Sequence, residues 1–104
     1  MQSYIIAYTI HLPGRFGYIR ISCVGDNPQR AMFEETDWAI VTPGLVFIDS
    51  AIKADGTILT EEEFHNYLRK KGFKELSNGK HSDGWFLCTG KDIARAYVIL
   101  MNDL

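Results

Sequence analysis

Apolar and polar side chains alternate over the N-terminal part of the chain, which is the pattern of a β-strand with one buried face. A first strand is predicted from Tyr4 to Leu12 and a second from Tyr18 to Val24. The five residues from Pro13 to Gly17 contain the proline and glycines typical of a turn. The pattern therefore predicts a β-hairpin.

The next segment predicts a short helix and a second hairpin. Asn27 is a suitable N-cap and Pro28 is favoured at the first helical position, so we expect a helix that ends near Glu35. The second hairpin would consist of a strand, a type II turn and a strand: Trp38–Thr42, Pro43–Gly44 and Leu45–Ile48. Type II turns match the twist of a hairpin poorly, so the turn argues partly against this pairing.

The strongest helix signal lies between Thr60 and Lys71. Thr60 and Glu63 have the spacing of a capping box, and glutamates in the first turn with basic residues in the last complement the helix dipole. Gly72 is expected to adopt the left-handed conformation that ends the helix, so that Phe73 folds back towards Leu68.

Two more strands and a third helix complete the prediction. The strands would run from Phe73 to Leu76 and from Trp85 to Cys88, joined by the polar residues 77–84. Thr89 can cap a last helix whose apolar stripe is wide enough for deep burial or contact with a partner. The segment Tyr97–Leu100 also fits a strand, and periodicity does not choose between the two.

Together these elements predict one α+β domain over residues 1–104. We expect two layers, an antiparallel sheet of five or six strands with three helices packed mainly on one face, in the order β-β-α-β-β-α-β-β-α. The hairpins begin about 35 residues apart, which raises the question of an internal repeat. Residue identity between the three units is negligible, and the question stays open.

Composition adds limits on function. The formal net charge is −2, with 11 basic and 13 acidic residues, which argues against a strongly basic nucleic-acid clamp. No apolar run approaches the ~20 residues of a membrane helix, so no membrane contact is predicted. The first residues, Met1-Gln2-Ser3, lack the charge of a secretory signal, and we therefore expect a cytoplasmic protein.

Motifs for metal, cofactor or thiol chemistry are weak. Asp55-Gly56 imitates part of a calcium loop, but Ala51 and Lys53 stand where anionic ligands are needed, so neither metal nor cofactor is predicted. Cys23 and Cys88 fit strands as small core residues. Cys88 precedes a helix start, which leaves a reactive thiolate as the alternative.

One neighbourhood of the chain is basic. Residues 65–81 contain five lysines and arginines against one glutamate, a net charge of +4, and two histidines. Basic residues close to a tryptophan fit a surface that binds RNA or single-stranded nucleic acid. The candidate binding residues, for nucleic acid or a protein partner, are Arg69, Lys70, Lys71, Lys74, Lys80, His81 and Trp85.

Three functions follow from the sequence. The first is a small binding or regulatory protein without catalytic residues, acting through protein interaction or self-association of its apolar C-terminal helix. The second is RNA or single-stranded nucleic-acid binding through residues 65–81. The third is a small hydrolase or nuclease that uses the His81 loop, where Ser82 and Asp83 are neighbours in sequence but do not by themselves form a triad.

Overall fold

A computed structural model describes residues 2–77 and 81–102 of the chain. Its four strands form one antiparallel sheet in the order β3-β1-β2-β4. The strands are β1 (Tyr4–Thr9), β2 (Tyr18–Val24), β3 (Gly44–Ser50) and β4 (Trp85–Leu87). The helices are α1 (Pro28–Glu35), α2 (Glu61–Lys70) and α3 (Gly90–Asn102), with a short 3-10 helix at Asp37–Ala39.

The sheet has four strands in the described residues and is covered on both faces, so the prediction of a two-layer fold of five or six strands with its helices mainly on one face is wrong. Ile5 and Ala7 of β1 pack in the same core as α2 and α3. Ile6 and Tyr8 alternate with them and pack with Met32 of α1 in a second core. The α+β class is confirmed, but the element order among the described residues is β-β-α-β-α-β-α.

The predicted strand Trp38–Thr42 is wrong, and the second hairpin does not exist. The chain instead forms a 3-10 turn in which the Ala39 amide donates to the Thr36 carbonyl at 2.9 Å. Ile40 then adopts a left-handed backbone with φ of 58°, which redirects the chain. Gly44, expected to be part of a type II turn, is the first residue of β3, and β3 pairs with β1.

The predicted strand Phe73–Leu76 is reduced to one bridge between Glu75 and Phe86. The segment still lies beside β4, because the Leu76 amide donates to the Trp85 carbonyl and the Leu87 amide to the Lys74 carbonyl, both at 2.8 Å. The predicted turn at Asn78–Gly79 lies outside the described residues. Of the three hairpin–helix units, only the first contains a hairpin of two regular strands among the described residues.

The capping signals of α2 are confirmed. The Thr60 hydroxyl accepts from the Glu63 amide at 3.1 Å, and the Glu63 carboxylate accepts from the Thr60 amide at 3.2 Å. Gly72 has φ of 88°, which lets the Phe73 amide donate back to the Leu68 carbonyl at 3.1 Å. Leu68 is fully buried, as is Phe64, and burial of each such side chain contributes about 1.5–3 kcal/mol.

The segment Tyr97–Leu100 is helical and belongs to α3. The predicted N-terminal capping of this helix is confirmed, because the Asp92 carboxylate accepts from the Thr89 amide at 2.9 Å. The Tyr97 hydroxyl donates to the Ser50 carbonyl at 2.6 Å and ties α3 to β3. In the part of the chain that the structure describes, no helix combines the length and apolarity needed to cross a membrane.

Candidate functional site

The predicted basic residues lie on and just after α2. Arg69 is largely committed to Glu75, because its Nε and one terminal nitrogen lie 2.7 and 3.0 Å from the two carboxylate oxygens. Lys70 and Lys74 are exposed, and the Lys71 ammonium lies 5.6 Å from the centre of the Tyr67 ring. Lys80 lies outside the described residues.

The other two predicted site residues lie away from these lysines. Trp85 is only 2% exposed and packs on the α1 face of the sheet, whereas α2 covers the opposite face. His81 is exposed, and its ring stacks on Trp38, an unpredicted partner. Base stacking requires an accessible ring, so burial of Trp85 removes the stacking residue of the predicted nucleic-acid surface. Binding by the lysines alone stays an untested prediction.

A cavity of about 200 Å³ opens on the α1 face of the sheet. Strands β1, β2 and β4 supply its floor, and the end of α1, the 3-10 turn and residues 81–83 supply its walls. The lining side chains are both aromatic and charged: Tyr8, Arg20, Glu35, Trp38, His81, Asp83 and Trp85.

Glu35 is held in this cavity by two hydroxyl groups. The Tyr8 hydroxyl donates to Oε1 at 2.7 Å, and the Ser22 hydroxyl donates to Oε2 at 2.6 Å. Burial, assisted by the negative charge of Glu35, raises the pKa of Tyr8 far above its usual value, so the phenol stays protonated. Glu35 forms no ion pair with any described residue. Its carboxylate is therefore positioned by neutral donors.

A second carboxylate, Glu61, lies on the other side of Ser22. Its Oε1 accepts from the Cys23 amide and lies 3.1 Å from the Ser22 hydroxyl, while Arg20 lies 3.4 Å from its Oε2. Burial opposes the charge of Glu61, but Arg20 and the Cys23 amide outweigh burial and hold its pKa below the usual value. Arg20 and Glu61 thus neutralise each other.

This arrangement follows from the shortness of β4. Its three residues pair with β2 only at Tyr18–Arg20, which leaves the rest of that strand edge without a strand partner. Side chains of α2 cap it: His65 Nε2 donates to the Ile21 carbonyl at 2.8 Å, and Glu61 accepts from the Cys23 amide. Buried backbone groups need such partners.

Gly84 makes room for these side chains. Its φ is 77°, and a Cβ built there would lie 2.7 Å from His65 Cε1 and still closer to the Arg20 guanidinium. Only glycine accepts both the backbone conformation and the close approach. The glycine therefore permits Arg20 and His65 to meet beside β4.

Aromatic rings form the outer wall of the cavity. The Trp38 and His81 ring planes differ by 3° and their centres lie 4.6 Å apart. The Arg15 guanidinium lies 5.4 Å from the ring centres of both Trp38 and Trp85, and it also donates to the His81 carbonyl. Arg15 thereby links the hairpin turn to the wall of the cavity.

A separate apolar patch lies on the outer surface of α1 and the 3-10 turn. We call it the Ile40 patch, and it surrounds a depression of about 290 Å³ lined by Phe33, Thr36, Asp37, Ile40, Val41 and Thr42. Ile40 is 94% exposed and Phe33 is 52% exposed. Ile40 therefore combines a left-handed backbone with an apolar side chain that is almost wholly in solvent.

The C-terminal helix buries some of its apolar side chains and exposes others. Ile93 and Ala96 are buried against the sheet, whereas Val98 and Ile99 are 55% and 45% exposed. Strand β3, at one edge of the sheet, has three half-exposed apolar residues, Leu45, Val46 and Ile48.

The cysteines do not have the environment of a reactive thiolate. Burial, followed by the charge of Asp92, raises the pKa of Cys88 to about 12. Burial and then Glu61 raise the pKa of Cys23. A thiol that remains protonated is a poor nucleophile, which argues against a Cys88 enzyme. Within residues 2–77 and 81–102, no three His, Cys, Asp or Glu side chains are grouped as metal ligands.

Sequence reasoning identified His81 and Trp85 but missed most of the cavity and all of the Ile40 patch. Tyr8 and Glu35 carry no motif, and Trp38 and Ile40 fitted a strand. The segment Asp37–Ala39 could have signalled the patch, because it comes just after a predicted helix end, where 3-10 turns are frequent. Comparison with protein-family models, curated proteins and solved structures finds no match for the chain.

Proposed function

We propose that the protein is a binding protein that recognises a protein partner through the Ile40 patch. The observation that supports this proposal is the conformation of Ile40, which has φ of 58° and is 94% exposed. A β-branched residue in the left-handed region is a genuine outlier. Such outliers concentrate at functional sites, and they motivate a functional hypothesis once they have been observed.

The energetics favour a role in binding. The left-handed conformation costs a residue with a Cβ about 1–2 kcal/mol. The Ile40 side chain recovers almost none of this through burial, because it is nearly all in solvent. Burial against a partner would return about 1.5–3 kcal/mol. Ile40 therefore has the properties of an anchor residue that is displayed before the partner arrives.

The charges around Ile40 indicate what kind of partner fits. Arg30 and Glu34 pair with each other at 3.0 Å, so they cancel locally. Asp37 is exposed and forms no ion pair among the described residues. The patch is therefore apolar with one unneutralised negative charge at its rim, and it fits a partner with an apolar socket beside a lysine or arginine.

The proposal is tested with charge substitutions on two exposed surfaces. Partners are captured with the wild-type chain and with Ile40→Asp, while Val98→Asp on α3 serves as the matched control. A captured protein counts only when it binds again as a purified pair. Ile40→Asp should weaken that pair at least about 30-fold, as expected for an anchor residue worth ~2 kcal/mol, and Val98→Asp should leave it unchanged. Equal effects of the two substitutions would overturn the proposal.

Self-association is the second candidate, and the outer edge of β3 favours it. The Ala51 amide donates to the Ser3 carbonyl, so the backbone groups of Ala51 point towards β1. Backbone direction alternates along an antiparallel strand, and the backbone groups of Ile48 therefore point away from β1. At Ser50 the corresponding carbonyl already accepts from Tyr97. Among the described residues, the outward backbone groups of Ile48 therefore have no strand partner, and a second strand would pair along the apolar segment Leu45–Ile48. Sedimentation equilibrium tests it: Ile48→Lys should abolish any dimer that the wild type forms.

A further inference from the structure

We infer that the cavity on the α1 face binds a small organic cation, and specifically a guanidinium group. The inference concerns a different surface from the Ile40 patch and does not depend on it. Its starting point is Glu35, a carboxylate that faces a cavity of about 200 Å³ without an ion-pair partner among the described residues.

The hydrogen-bonding capacity of Glu35 fits a guanidinium. Tyr8 donates to one carboxylate oxygen and Ser22 to the other, at 2.7 and 2.6 Å. Each oxygen of an ionised carboxylate can accept about two hydrogen bonds, so each retains one free position. Two parallel N–H groups of a guanidinium can occupy both positions at once, which is the bidentate geometry that makes such pairs strong.

The charge of the surroundings also favours a cation. Arg20 is neutralised by Glu61, and Asp83 adds a second carboxylate to the cavity lining. With Arg15 included, these residues and Glu35 have a net charge of −1. An anionic ligand would meet two carboxylates, and the Arg20 guanidinium is already bonded to Glu61 and to the Ile21 carbonyl.

The aromatic wall suits a flat group. Trp38, Trp85 and Tyr8 line the cavity, but Trp85 and Tyr8 are almost wholly buried, so Trp38 is the ring that a ligand would contact. The chain's own Arg15 guanidinium already lies 5.4 Å from both indole centres. Guanidinium groups are weakly hydrated and pack favourably on indole rings. The ligand's guanidinium can come from a free small molecule or from an arginine side chain of another protein, since both present the same planar cation.

The test uses methylguanidinium chloride, with N-methylurea as a neutral molecule of nearly the same shape. Binding is followed by NMR shifts of the Trp38 and Trp85 indole N–H groups at pH 8 and at constant ionic strength. We expect a Kd of about 1 mM for the cation, within the range for five non-hydrogen atoms. N-methylurea should bind at least tenfold more weakly. The same titration with an arginine-containing tripeptide shows whether the guanidinium of a peptide side chain can enter the cavity.

Matched variants complete the experiment. Glu35→Gln should weaken methylguanidinium binding at least tenfold, while Glu34→Gln, which removes the same charge from the exposed side of α1, should leave it unchanged. If Glu35→Gln perturbs folding, Asp83→Asn on the exposed rim takes its place. Asp83→Asn should weaken methylguanidinium binding about two- to threefold. Equal binding of the cation and N-methylurea would overturn the inference, as would no indole shift with either. Neither result bears on the Ile40 patch.

Discussion

The imidazole of His81 lies parallel to the indole of Trp38, with ring centres 4.6 Å apart. The two residues are 43 positions apart in sequence, so this contact joins the 3-10 turn after α1 to the segment that leads into β4. His81 also has a left-handed backbone, with φ of 59°. The contact closes the outer wall of the cavity, and it gives His81 a structural position in place of the freely projecting loop expected of a surface turn.

Removal of this ring should expose Trp38. In His81→Ala, we expect acrylamide quenching of tryptophan fluorescence to increase, because Trp38 loses its stacked neighbour while Trp85 stays buried. His11→Ala is the control, since His11 is exposed and its ring lies 6.4 Å from that of Phe16. An unchanged quenching constant in His81→Ala would mean that the two rings are not stacked in solution.

Gly84 allows a comparison of backbone strain with steric crowding. Gly84→Ala should be more destabilising than Gly14→Ala, because both positions have positive φ but a Cβ at Gly14 meets no atom within 4 Å. The shared conformational cost is about 1 kcal/mol, and crowding against Arg20 and His65 should add about 1–3 kcal/mol. Urea unfolding measures both free energies. Equal losses would show that Gly84 is needed only for its φ.

Stability should depend on pH through His65. Burial lowers the pKa of its imidazole, and this outweighs the Ile21 carbonyl and Glu61, which favour the charged form. The folded pKa is thus below the unfolded value of about 6.5, so the unfolded chain binds the proton more readily. His65 stabilises the fold above pH ~6.5, and this contribution is lost as the pH falls towards the folded pKa.

The measurement is the slope of unfolding free energy against pH between 7 and 5. His65→Gln should flatten this slope more than the matched substitution His11→Gln at an exposed histidine. Glu61, Glu63 and Glu75 have lowered pKa values, so they change the unfolding free energy with pH mainly below about pH 4.5, outside this window. A His65→Gln slope identical to that of the wild type would contradict the buried neutral imidazole.

Local signals predicted the local structure well. The capping box of α2, the left-handed Gly72 and the first hairpin are each encoded within a few residues, and all three are confirmed. The sheet order was not predictable in this way. β3 pairs with β1 across more than thirty residues, and the turn that separates them depends on Ile40, whose left-handed conformation its own residue type disfavours.

The site was less predictable than the fold. The sequence predicts Trp85 as a stacking residue because basic residues are its neighbours in sequence, yet the fold places it in the core on the α1 face. Glu61 reaches Ser22 beside an end of β2 that β4 is too short to cover, and Glu35 reaches the same hydroxyl from α1. The length of β4, and the side chains that therefore reach β2, depend on the whole sheet, so no local sequence pattern predicts them.

Ile40→Gly should stabilise the isolated protein. Glycine removes the left-handed strain of about 1–2 kcal/mol, and its larger unfolded-state entropy returns part of that. The net gain should be about 0.5–1 kcal/mol, seen as a rise of a few degrees in Tm. Ile40→Ala is the control, because it removes the exposed apolar surface but keeps a Cβ at positive φ. An equal Tm for the two variants would mean that Ile40 is not strained.

The most direct measurement is the affinity of Ile40→Gly for a purified partner of the wild-type chain, taken together with its unfolding free energy. If Ile40 is an anchor residue held in a costly conformation, the variant is more stable than the wild type and binds at least about tenfold more weakly. Stability and affinity then change in opposite directions. An affinity equal to that of the wild type would contradict the Ile40 patch as the recognition surface.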